Sequence, residues 1–282
     1  MTTTLTTPSR RLRLVIQPTR GWSALNLLDI WVFRDLLQSL AKRDVKLRYR
    51  QTALGVSWVI IQPLLAAGIF TFVFGSVAKL SSGSTPYFVF SYCGLLAWNL
   101  FSGTLTRSST CLVQNSQLIS KVYFPRLVLP LSTVFSALID FAVGLGLMIV
   151  LMVKYRVAPG MGLILAPVCL LAIILMALGV GLYFSGLSAS YRDVQYIVPV
   201  LTQLLLYASP IAYRLESVPA RFLRIYQLNP LASLFETFRW ATIQNGQVHW
   251  GFFIYALVCS VLVFMIGVIE FKRMERKFAD VI

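Results

Sequence analysis

The chain has 282 residues, of which 57% are hydrophobic and only 12% are Asp, Glu, Lys or Arg. A soluble domain carries about 25% charged residues, so this composition excludes an ordinary soluble enzyme and indicates an all-α integral membrane protein. The net charge of +15 does not indicate nucleic-acid binding, because the basic residues lie between and beside the apolar runs.

Residues 1–25 form a Thr-rich basic tail without the apolar core of a signal peptide, and we expect this tail to remain in the cytoplasm. Residues 26–43 place apolar side chains at helical spacing and set Arg34, Gln38 and Lys42 on the opposite face. This pattern predicts an amphipathic helix in the headgroup layer of the membrane. A helix docked on a soluble partner is compatible with the same pattern.

A sharp change of polarity follows this helix. Five basic residues lie within nine positions, and no charge then occurs from residue 51 to residue 78: the basic residues are Lys42, Arg43, Lys46, Arg48 and Arg50. A charge at the bilayer centre costs about 2.5–3.5 kcal/mol, and Lys and Arg favour the cytoplasmic side. We therefore place this basic seam, which completes a segment spanning residues 26–50, at the inner membrane surface.

Six apolar segments follow, each with about 20 or more residues, which is enough to cross a hydrocarbon core of about 30 Å. The predicted spans lie near residues 53–78, 87–107, 127–153, 161–186, 194–213 and 250–269, and the fifth is interrupted by Pro199 and Pro210. Of the 25 Lys and Arg residues, seven fall in predicted outer loops: Lys79, Lys154, Arg156, Arg214, Arg221, Arg224 and Arg239. This distribution predicts that both termini are cytoplasmic.

Two features of the region that contains the predicted spans depart from a simple series of apolar helices. Asp140 is the only charge well inside a predicted span, and we expect it to pair with a polar neighbour, with a transport role as the alternative. The outer segment 214–249 is semi-apolar, and Pro219 and Pro230 divide it into two short amphipathic pieces. We interpret these as two re-entrant half-helices packed on the fifth and sixth spans; an ordinary surface loop is the alternative.

The chain carries few signs of catalytic chemistry. It has no G-x-x-x-x-G-K-[ST] sequence, so it is not expected to bind ATP itself. The single histidine, His249, lies beside Trp250 at a predicted membrane interface, and we interpret it as an interfacial anchor residue and not as a catalytic one. The cysteines have no metal-ligand spacing and read as small hydrophobic residues: Cys93, Cys111, Cys169 and Cys259.

The inner loop 115–130 predicts a short helix from Gln117 to Tyr123 that ends before Pro125. Its apolar side chains, expected to be exposed between Lys121 and Arg126, are Leu118, Ile119, Val122 and Phe124. An exposed apolar patch with a basic rim indicates a protein contact. A turn packed against the bundle is the alternative.

Five motifs in order carry a resemblance to a known family. They are RDVKLRYRQTALGVSWVIIQPL at 43–64, LISKVYFPRLVLP at 118–130, YRDV at 191–194, SPIAY at 209–213 and NPL at 229–231. Together they resemble the permease subunit of ABC-2-type exporters of lipid-linked polysaccharides, which serve O-antigen, capsule and teichoic-acid export. The opening VIQPTRGW at 15–22 is similar to the O-antigen branch.

The resemblance implies a homodimer in the bacterial inner membrane, with a path for an undecaprenyl-linked glycan at the shared interface. Two separate ABC ATPase subunits would bind ATP and magnesium, and this chain would bind no cofactor. Residues 51–272 would form the transmembrane domain and 273–282 a cytoplasmic tail. The helix at 29–43 would be the interfacial gate helix, and gate and seam residues would be Arg34, Lys42, Arg43, Lys46, Arg48, Tyr49 and Arg50. The coupling helix to the ATPase would use Gln117, Leu118, Ile119, Ser120, Lys121, Val122, Tyr123, Phe124 and Arg126.

Aromatic rings suit a sugar path, because the C–H faces of sugars stack on them without demanding one hydrogen-bond pattern. The candidate lining residues are Trp58, Gln62, Gln203 and Tyr207, because the first and fifth spans face the dimer axis in the family resembled. An ABC-2 exporter of another lipid, teichoic acid, capsule or drug is the main alternative. A membrane-embedded glycosyltransferase would need an acidic pair, for which the outer loops offer Glu216 and Glu236; a purely structural subunit is a further alternative.

Overall fold

The computed structural model describes residues 31–49, 55–122 and 124–275, and every regular element in these ranges is helical. The helices are α1 (Arg34–Tyr49), α2 (Trp58–Phe70), α3 (Tyr87–Gln114), α4 (Ser116–Lys121), α5 (Val128–Tyr155), α6 (Ala166–Ser188), α7 (Val194–Ala208), α8 (Ala220–Leu228), α9 (Pro230–Ile243) and α10 (Trp250–Glu275). A π-helical turn, Thr71–Val77, extends α2. The predicted tail 1–25, the start of the gate helix, Arg50, Tyr123 and residues 276–282 lie outside the described residues.

Among the described residues, five helical segments are long and apolar enough to cross a membrane: Trp58–Val77, Tyr87–Gln114, Val128–Tyr155, Gly162–Ser188 and Trp250–Glu275. They coincide with five of the six predicted spans. The remaining one, α7, has 15 residues, or about 22 Å at a rise of about 1.5 Å per residue. It ends before the predicted residue 213 because Ser209 is extended ahead of Pro210, as expected for a residue that precedes proline.

The helix α3 is the centre of the bundle. Its most apolar stretch is 78% buried, whereas that of α2 is only 6% buried. It packs mainly on α5 and α6, while α10 packs along the other side of α6. The helices α6 and α10 meet backbone to backbone, because a Cβ added at Gly267 would lie 2.1 Å from the carbonyl oxygen of Gly179. Small residues permit such close approach between membrane helices.

The helix α3 continues to Gln114, two turns beyond the predicted end of the second span at residue 107. Arg107, the last residue of the predicted second span, therefore lies inside a continuous helix and not at its end. The polar stretch that follows stays helical because Ser108, Ser109 and Thr110 hydrogen-bond carbonyl groups of their own helix. Their hydroxyls are thereby satisfied without leaving the helix.

One end of the bundle, here called the α1 end, gathers the predicted inner elements. The helix α1 packs on α5, and its apolar residues enter a cluster shared by five helices and the 124–127 turn. The cluster comprises Leu37, Leu40, Cys111, Leu112, Phe124, Leu127, Val128, Leu129, Val134, Leu178, Leu182, Val268 and Phe271. The predicted amphipathic helix is thus present over its described part and is docked by its apolar face.

The opposite end, here called the α9 end, contains the two short helices predicted between the fifth and sixth spans. Asn229 separates them and caps α9, since its Oδ1 accepts a hydrogen bond from the Leu231 amide at 3.0 Å. The helix α9 packs on α3, α6 and α10. It is not an ordinary surface loop, because most of its residues, Glu236 and Arg239 included, are buried.

Candidate functional site

A cavity of about 500 Å³ lies between α2, α3 and α5. The polar side chains in its wall come from all three helices, and Trp58 lies beside them: the polar residues are Gln62, Asn99, Ser102, Arg107 and Asp140. The remaining wall is formed by apolar residues and glycines, among them Leu100, Gly103 and Phe141. Two of the four predicted lining residues, Trp58 and Gln62, therefore share one cavity.

The other two predicted lining residues, Gln203 and Tyr207, do not line this cavity. They lie on the exposed face of α7, which packs on α3 and α6. Tyr207 is 61% exposed, and Tyr196 and Leu204 extend the same exposed face along the helix. The four predicted residues therefore lie on two surfaces. Trp58 and Gln62 are on α2, Gln203 and Tyr207 are on α7, and both of these helices pack on α3.

An ion pair joins α3 to α5 at the wall of the cavity. Nη2 of Arg107 lies 2.5 Å from Oδ2 of Asp140, and the two side chains are 29% and 22% exposed. The expected polar partner of Asp140 is confirmed. Sequence reasoning missed Arg107 as that partner because a charge was taken to end the span. The sequence does carry one signal that the helix continues past Arg107. It is the run of hydroxyl residues that follows, because such side chains can hydrogen-bond carbonyl groups of their own helix.

Arg107 also contributes to a second cavity of about 410 Å³ on the α1 side of the ion pair. This cavity is walled by α1, α3 and α5, and its polar residues are Asp44, Gln114, Asn115, Ser132, Thr133 and Ser136. The Arg107–Asp140 pair therefore stands between a cavity that begins near the basic seam and a cavity that continues deeper along α2.

The described part of the basic seam is exposed at the α1 end. Arg34, Lys42 and Lys46 are exposed, and the backbone of Arg48 and Tyr49 completes α1. Arg43 bonds the neighbouring Asp44 at 3.0 Å and donates to Oδ1 of Asn115 at 2.5 Å. This contact fastens the predicted gate helix to the residue that precedes α4.

The short helix predicted from Gln117 to Tyr123 is present as α4, Ser116–Lys121, and it ends before Val122, whose backbone is extended. Gln117, Ser120 and Lys121 are exposed, and Val122 is 50% exposed. Leu118 and Ile119 pack against the cluster at the α1 end and are only partly exposed.

Two residues of this loop differ from the prediction. Phe124 is 5% exposed and belongs to the same apolar cluster, so its expected place in an exposed patch is wrong. Arg126 donates from Nη1 to the carbonyl oxygen of Glu275 at 3.1 Å, which ties the loop to the end of α10. The surface open to a partner is therefore narrower than expected and is concentrated at Gln117, Ser120, Lys121 and Val122.

A buried arginine organises the α9 end. Arg239 is 2% exposed, and its Nη2 donates to the carbonyl oxygens of Pro210 and Ile211 at 2.8 and 2.9 Å. Its guanidinium carbon lies 4.0 Å from the centroid of the Phe90 ring. Gly94 leaves room for it, because an added Cβ would lie 2.8 Å from Nη2. Arg239 thus pins the turn after α7 to α3 and α9.

The acidic pair required by the glycosyltransferase alternative does not form an open site. Glu216 is paired with Arg214 at 2.8 Å, and burial raises the pKa of Glu236 to about 7 while Arg239 opposes that shift. The cavity beside Glu236 measures about 10 Å³, roughly the space for one water molecule and too small for a sugar. Within the described ranges, no group of three or more His, Cys, Asp or Glu side chains is placed to hold a metal ion.

Residues 35–243, most of the bundle just described, match the family of ABC-2 type transporters. The chain therefore belongs to this family of multi-pass membrane proteins, as the sequence motifs indicated.

Several relatives of the chain are named for the export or transport of a polysaccharide. The chain is 29% identical to the O-antigen export system permease protein RfbA of Klebsiella pneumoniae over 88% of its own length and 95% of that protein. It is 32% identical to RfbA of Myxococcus xanthus, over 75% and 81% of the two chains. It is 24% identical to the polysialic acid transport protein KpsM of Escherichia coli, over 85% and 93%.

Proposed function

We propose that this protein is the permease subunit of an ATP-driven exporter that moves a lipid-linked polysaccharide, such as an O-antigen, across the bacterial inner membrane. The observation that carries the proposal is the similarity, over most of the chain, to permeases named for O-antigen export. The polar cavity, with an aromatic residue and an ion pair inside an apolar bundle, supports it, because polar groups at membrane depth mark transport paths.

Six crossings with both ends on the cytoplasmic side fit the arrangement of the helices. The last turns of α6 lie at the α1 end, where Ser188 donates to the carbonyl oxygen of Ser109 at 3.0 Å. The first turns of α10 lie at the other end, where the Tyr255 hydroxyl donates to the carbonyl oxygen of Leu228 at 3.2 Å. The chain returns between these points, which supports α7 as the sixth crossing in the proposed topology despite its length. On this topology α8 and α9 are the outer re-entrant pair.

A homodimer would cover the two surfaces that a single chain leaves open. The helix α2 is the least buried span, and α7 presents Tyr196, Gln203 and Tyr207 on one exposed face. An amide is costly to leave in contact with lipid tails, whereas amides and aromatic rings both suit a sugar-conducting interface. We therefore retain Trp58, Gln62, Gln203 and Tyr207 as candidate lining residues at the shared interface.

Two ABC ATPase subunits would dock at the α1 end and bind ATP and magnesium. The exposed part of α4 offers a short helix with Lys121 and Val122 at its tip, beside the basic α1. Because α4, α1 and the end of α10 share one apolar cluster, movement of the ATPases would reach the bundle through this end. The basic seam would lie at the headgroup level, where it would meet anionic lipid or the lipid pyrophosphate of an undecaprenyl-linked glycan.

Deletion of the gene tests the proposal. The deletion strain should lose surface glycan and accumulate undecaprenyl-linked glycan inside the cell, and wild-type protein supplied from a plasmid should reverse both effects. A partner ATPase unable to hydrolyse ATP should reproduce the deletion. A capsule or teichoic-acid exporter would lose that polymer instead. Intact surface glycan of every type in the deletion strain would favour a drug or small-lipid exporter and overturn the proposal.

A further inference from the structure

We propose that α8 is a docking surface for anionic phospholipid, with Arg221 and Arg224 binding the lipid phosphate at the outer surface of the membrane. The inference goes beyond the proposed function and takes from it only the placement of the α9 end on the outer side. The surface concerned, here called the α8 face, comprises five exposed residues: Arg221, Phe222, Arg224, Ile225 and Leu228.

The two short helices at the α9 end differ in how much of their surface is covered. Most residues of α9 are buried, whereas none of residues 221–228 in α8 is. Phe222 is 42% exposed, and Ile225 and Leu228 are each 65% exposed. Apolar side chains as open as these are costly in water and stable against acyl chains. The amphipathic pattern of α8 therefore fits a helix that lies in the plane of the membrane surface.

The orientation of α8 about its own axis is fixed by hydrogen bonds on its inner side. The Tyr213 hydroxyl donates to the Tyr226 hydroxyl at 2.9 Å, and the Tyr255 hydroxyl donates to the carbonyl oxygen of Leu228 at 3.2 Å. Tyr226 follows Arg221 by five residues, which places it about 140° around the axis at about 3.6 residues per turn. The inward contact of Tyr226 thus directs the arginines away from the bundle.

The depth of α8 corresponds to the level at which membrane helices end. Asn229, directly after α8, donates from Nδ2 to the carbonyl oxygen of Ala208, the last residue of α7, at 3.2 Å. The Leu228 carbonyl meets Tyr255 in the first turns of α10, which begins at the exposed Trp250. Tryptophan is enriched at the headgroup level of membranes. We therefore place α8 in the headgroup layer, within reach of lipid phosphates.

The charge of the α8 face complements an anionic headgroup. The helix contains two arginines and no Asp or Glu, and the preceding carboxylate, Glu216, is paired with Arg214 at 2.8 Å. Arg221 and Arg224 are three residues apart and so lie on adjacent turns of one side of the helix. A planar guanidinium can donate two parallel hydrogen bonds to phosphate oxygens. Cζ of Arg221 lies 4.6 Å from the centroid of the Phe222 ring, so charged and apolar surfaces are directly adjacent.

This combination favours anionic phospholipid over the other possible occupants. A zwitterionic lipid carries an ammonium group that the arginines repel, whereas phosphatidylglycerol offers a phosphate without a compensating cation. A second copy of the chain docked symmetrically on the same face would bring two further arginines against these two. A free anion would satisfy the arginines but would leave Phe222, Ile225 and Leu228 uncovered.

The test uses the full chain assembled with its partner ATPase in nanodiscs of phosphatidylethanolamine with a minor fraction of phosphatidylglycerol. A photoreactive benzoylphenylalanine replaces Phe222, so that crosslinking reports what touches the α8 face and not what binds the basic seam. Mass spectrometry of the crosslinked peptide gives the ratio of the two lipids. We expect phosphatidylglycerol to be enriched about threefold or more over its share of the nanodisc, because each basic residue at a membrane surface adds to the attraction.

Two double variants separate charge from shape. Arg221→Gln with Arg224→Gln should return the lipid ratio to that of the nanodisc, whereas Arg221→Lys with Arg224→Lys should retain most of the enrichment. The same photoreactive residue in place of Leu171, an exposed position in the charge-free α6, should give the nanodisc ratio. If the glutamine variant does not fold, raised salt decides: it should reduce the enrichment at position 222, since salt screens exposed charges.

Four outcomes would overturn the inference. They are crosslinking of lipid in the nanodisc ratio, enrichment that persists in the glutamine variant, loss of the lipid crosslink on addition of inorganic pyrophosphate, and crosslinking to a second copy of the chain or to no lipid at all. The third would indicate a site for free pyrophosphate or for the pyrophosphate of the glycan carrier. Each of them leaves the export role intact, because that role is tested by surface glycan in the deletion strain.

Discussion

Two regions of the membrane bundle differ in how they are held. The block formed by α3, α6 and α10 is closely packed, with a 78% buried stretch in α3 and backbone contact between Gly179 and Gly267. The helices α2 and α7 lie against this block and leave most of their surface open, and the apolar stretch of α2 is only 6% buried. The apolar stretch of the buried α3 is less apolar than that of the open α2, so packing, not hydropathy, distinguishes the two regions.

This difference in packing distinguishes the block, which acts as a scaffold, from the open helices α2 and α7, which carry the candidate lining residues. Within the block, Tyr92 is held in a closed contact, since its hydroxyl donates to the carbonyl oxygen of Gly144 on α5 at 2.9 Å, and the polar side chains of α3 that stay open, such as Asn99, face the cavity beside α2. The open helices carry Trp58, Gln62, Gln203 and Tyr207 on exposed faces. Polar side chains are costly in lipid unless they meet a partner, so these faces suit the glycan path and the subunit interface that we propose.

The largest effect is expected where the two regions are joined. Arg239→Ala would remove the donors to the Pro210 and Ile211 carbonyls and the contact with Phe90, freeing the end of α7 from the block. Hydrogen bonds from charged groups contribute about 1.5–3 kcal/mol each, so the loss should reach about 3 kcal/mol. Thermal unfolding in detergent, followed by size-exclusion chromatography, would measure it. The matched control is Arg224→Ala, which removes an exposed arginine from α8 and should leave the unfolding temperature unchanged.

The same substitution in both regions should have opposite effects. Gly267→Ala places a Cβ 2.1 Å from the Gly179 carbonyl oxygen, which must force α6 and α10 apart at a cost of about 1–3 kcal/mol. Gly68→Ala in α2 meets no atom within 4 Å, and alanine favours a helix over glycine by up to about 1 kcal/mol. The unfolding temperature should therefore fall in the first variant and rise or stay constant in the second. Equal losses in both would show that α2 is packed as closely as the block.

The sequence alone was sufficient to predict most of the helices but not the contacts between them. Five spans follow from runs of about 20 apolar residues, because each residue's transfer into hydrocarbon is a local property. Arg107 was not predicted as the partner of Asp140, because an ion pair between α3 and α5 depends on how the two helices pack and not on either segment alone. Phe124 was expected to be exposed because its cover comes from distant segments, including Phe271 near the end of the chain. The burial of α9 and the Gly179–Gly267 contact are likewise properties of the assembled bundle.

A smaller effect, confined to function, is expected at the α1 end. Lys121→Glu reverses the charge of an exposed residue at the tip of α4 and should lower transport-coupled ATP hydrolysis several-fold without changing membrane insertion. Lys154→Glu makes the same change at the opposite end of the bundle and serves as the control. Arg126 is less suitable for this test because it bonds the Glu275 carbonyl oxygen within the chain. Normal ATPase coupling in the Lys121 variant would remove the coupling role from α4.

The last expected effect is a pH dependence of stability at the α9 end, which the open helices should not share. Burial raises the pKa of Glu236 from 4.5 to about 7, with Arg239 opposing, so the folded protein holds this proton more tightly than the unfolded chain does. The stabilisation is therefore complete below the unfolded pKa of 4.5 and is lost as the pH rises through about 7. For one proton the free energy of unfolding changes by at most about 1.4 kcal/mol per pH unit. Unfolding temperatures measured from about pH 5 to about pH 8 should fall for wild type and stay flatter for Glu236→Gln, which keeps the shape of the side chain but cannot ionise. Parallel curves for the two proteins would assign the dependence to other groups.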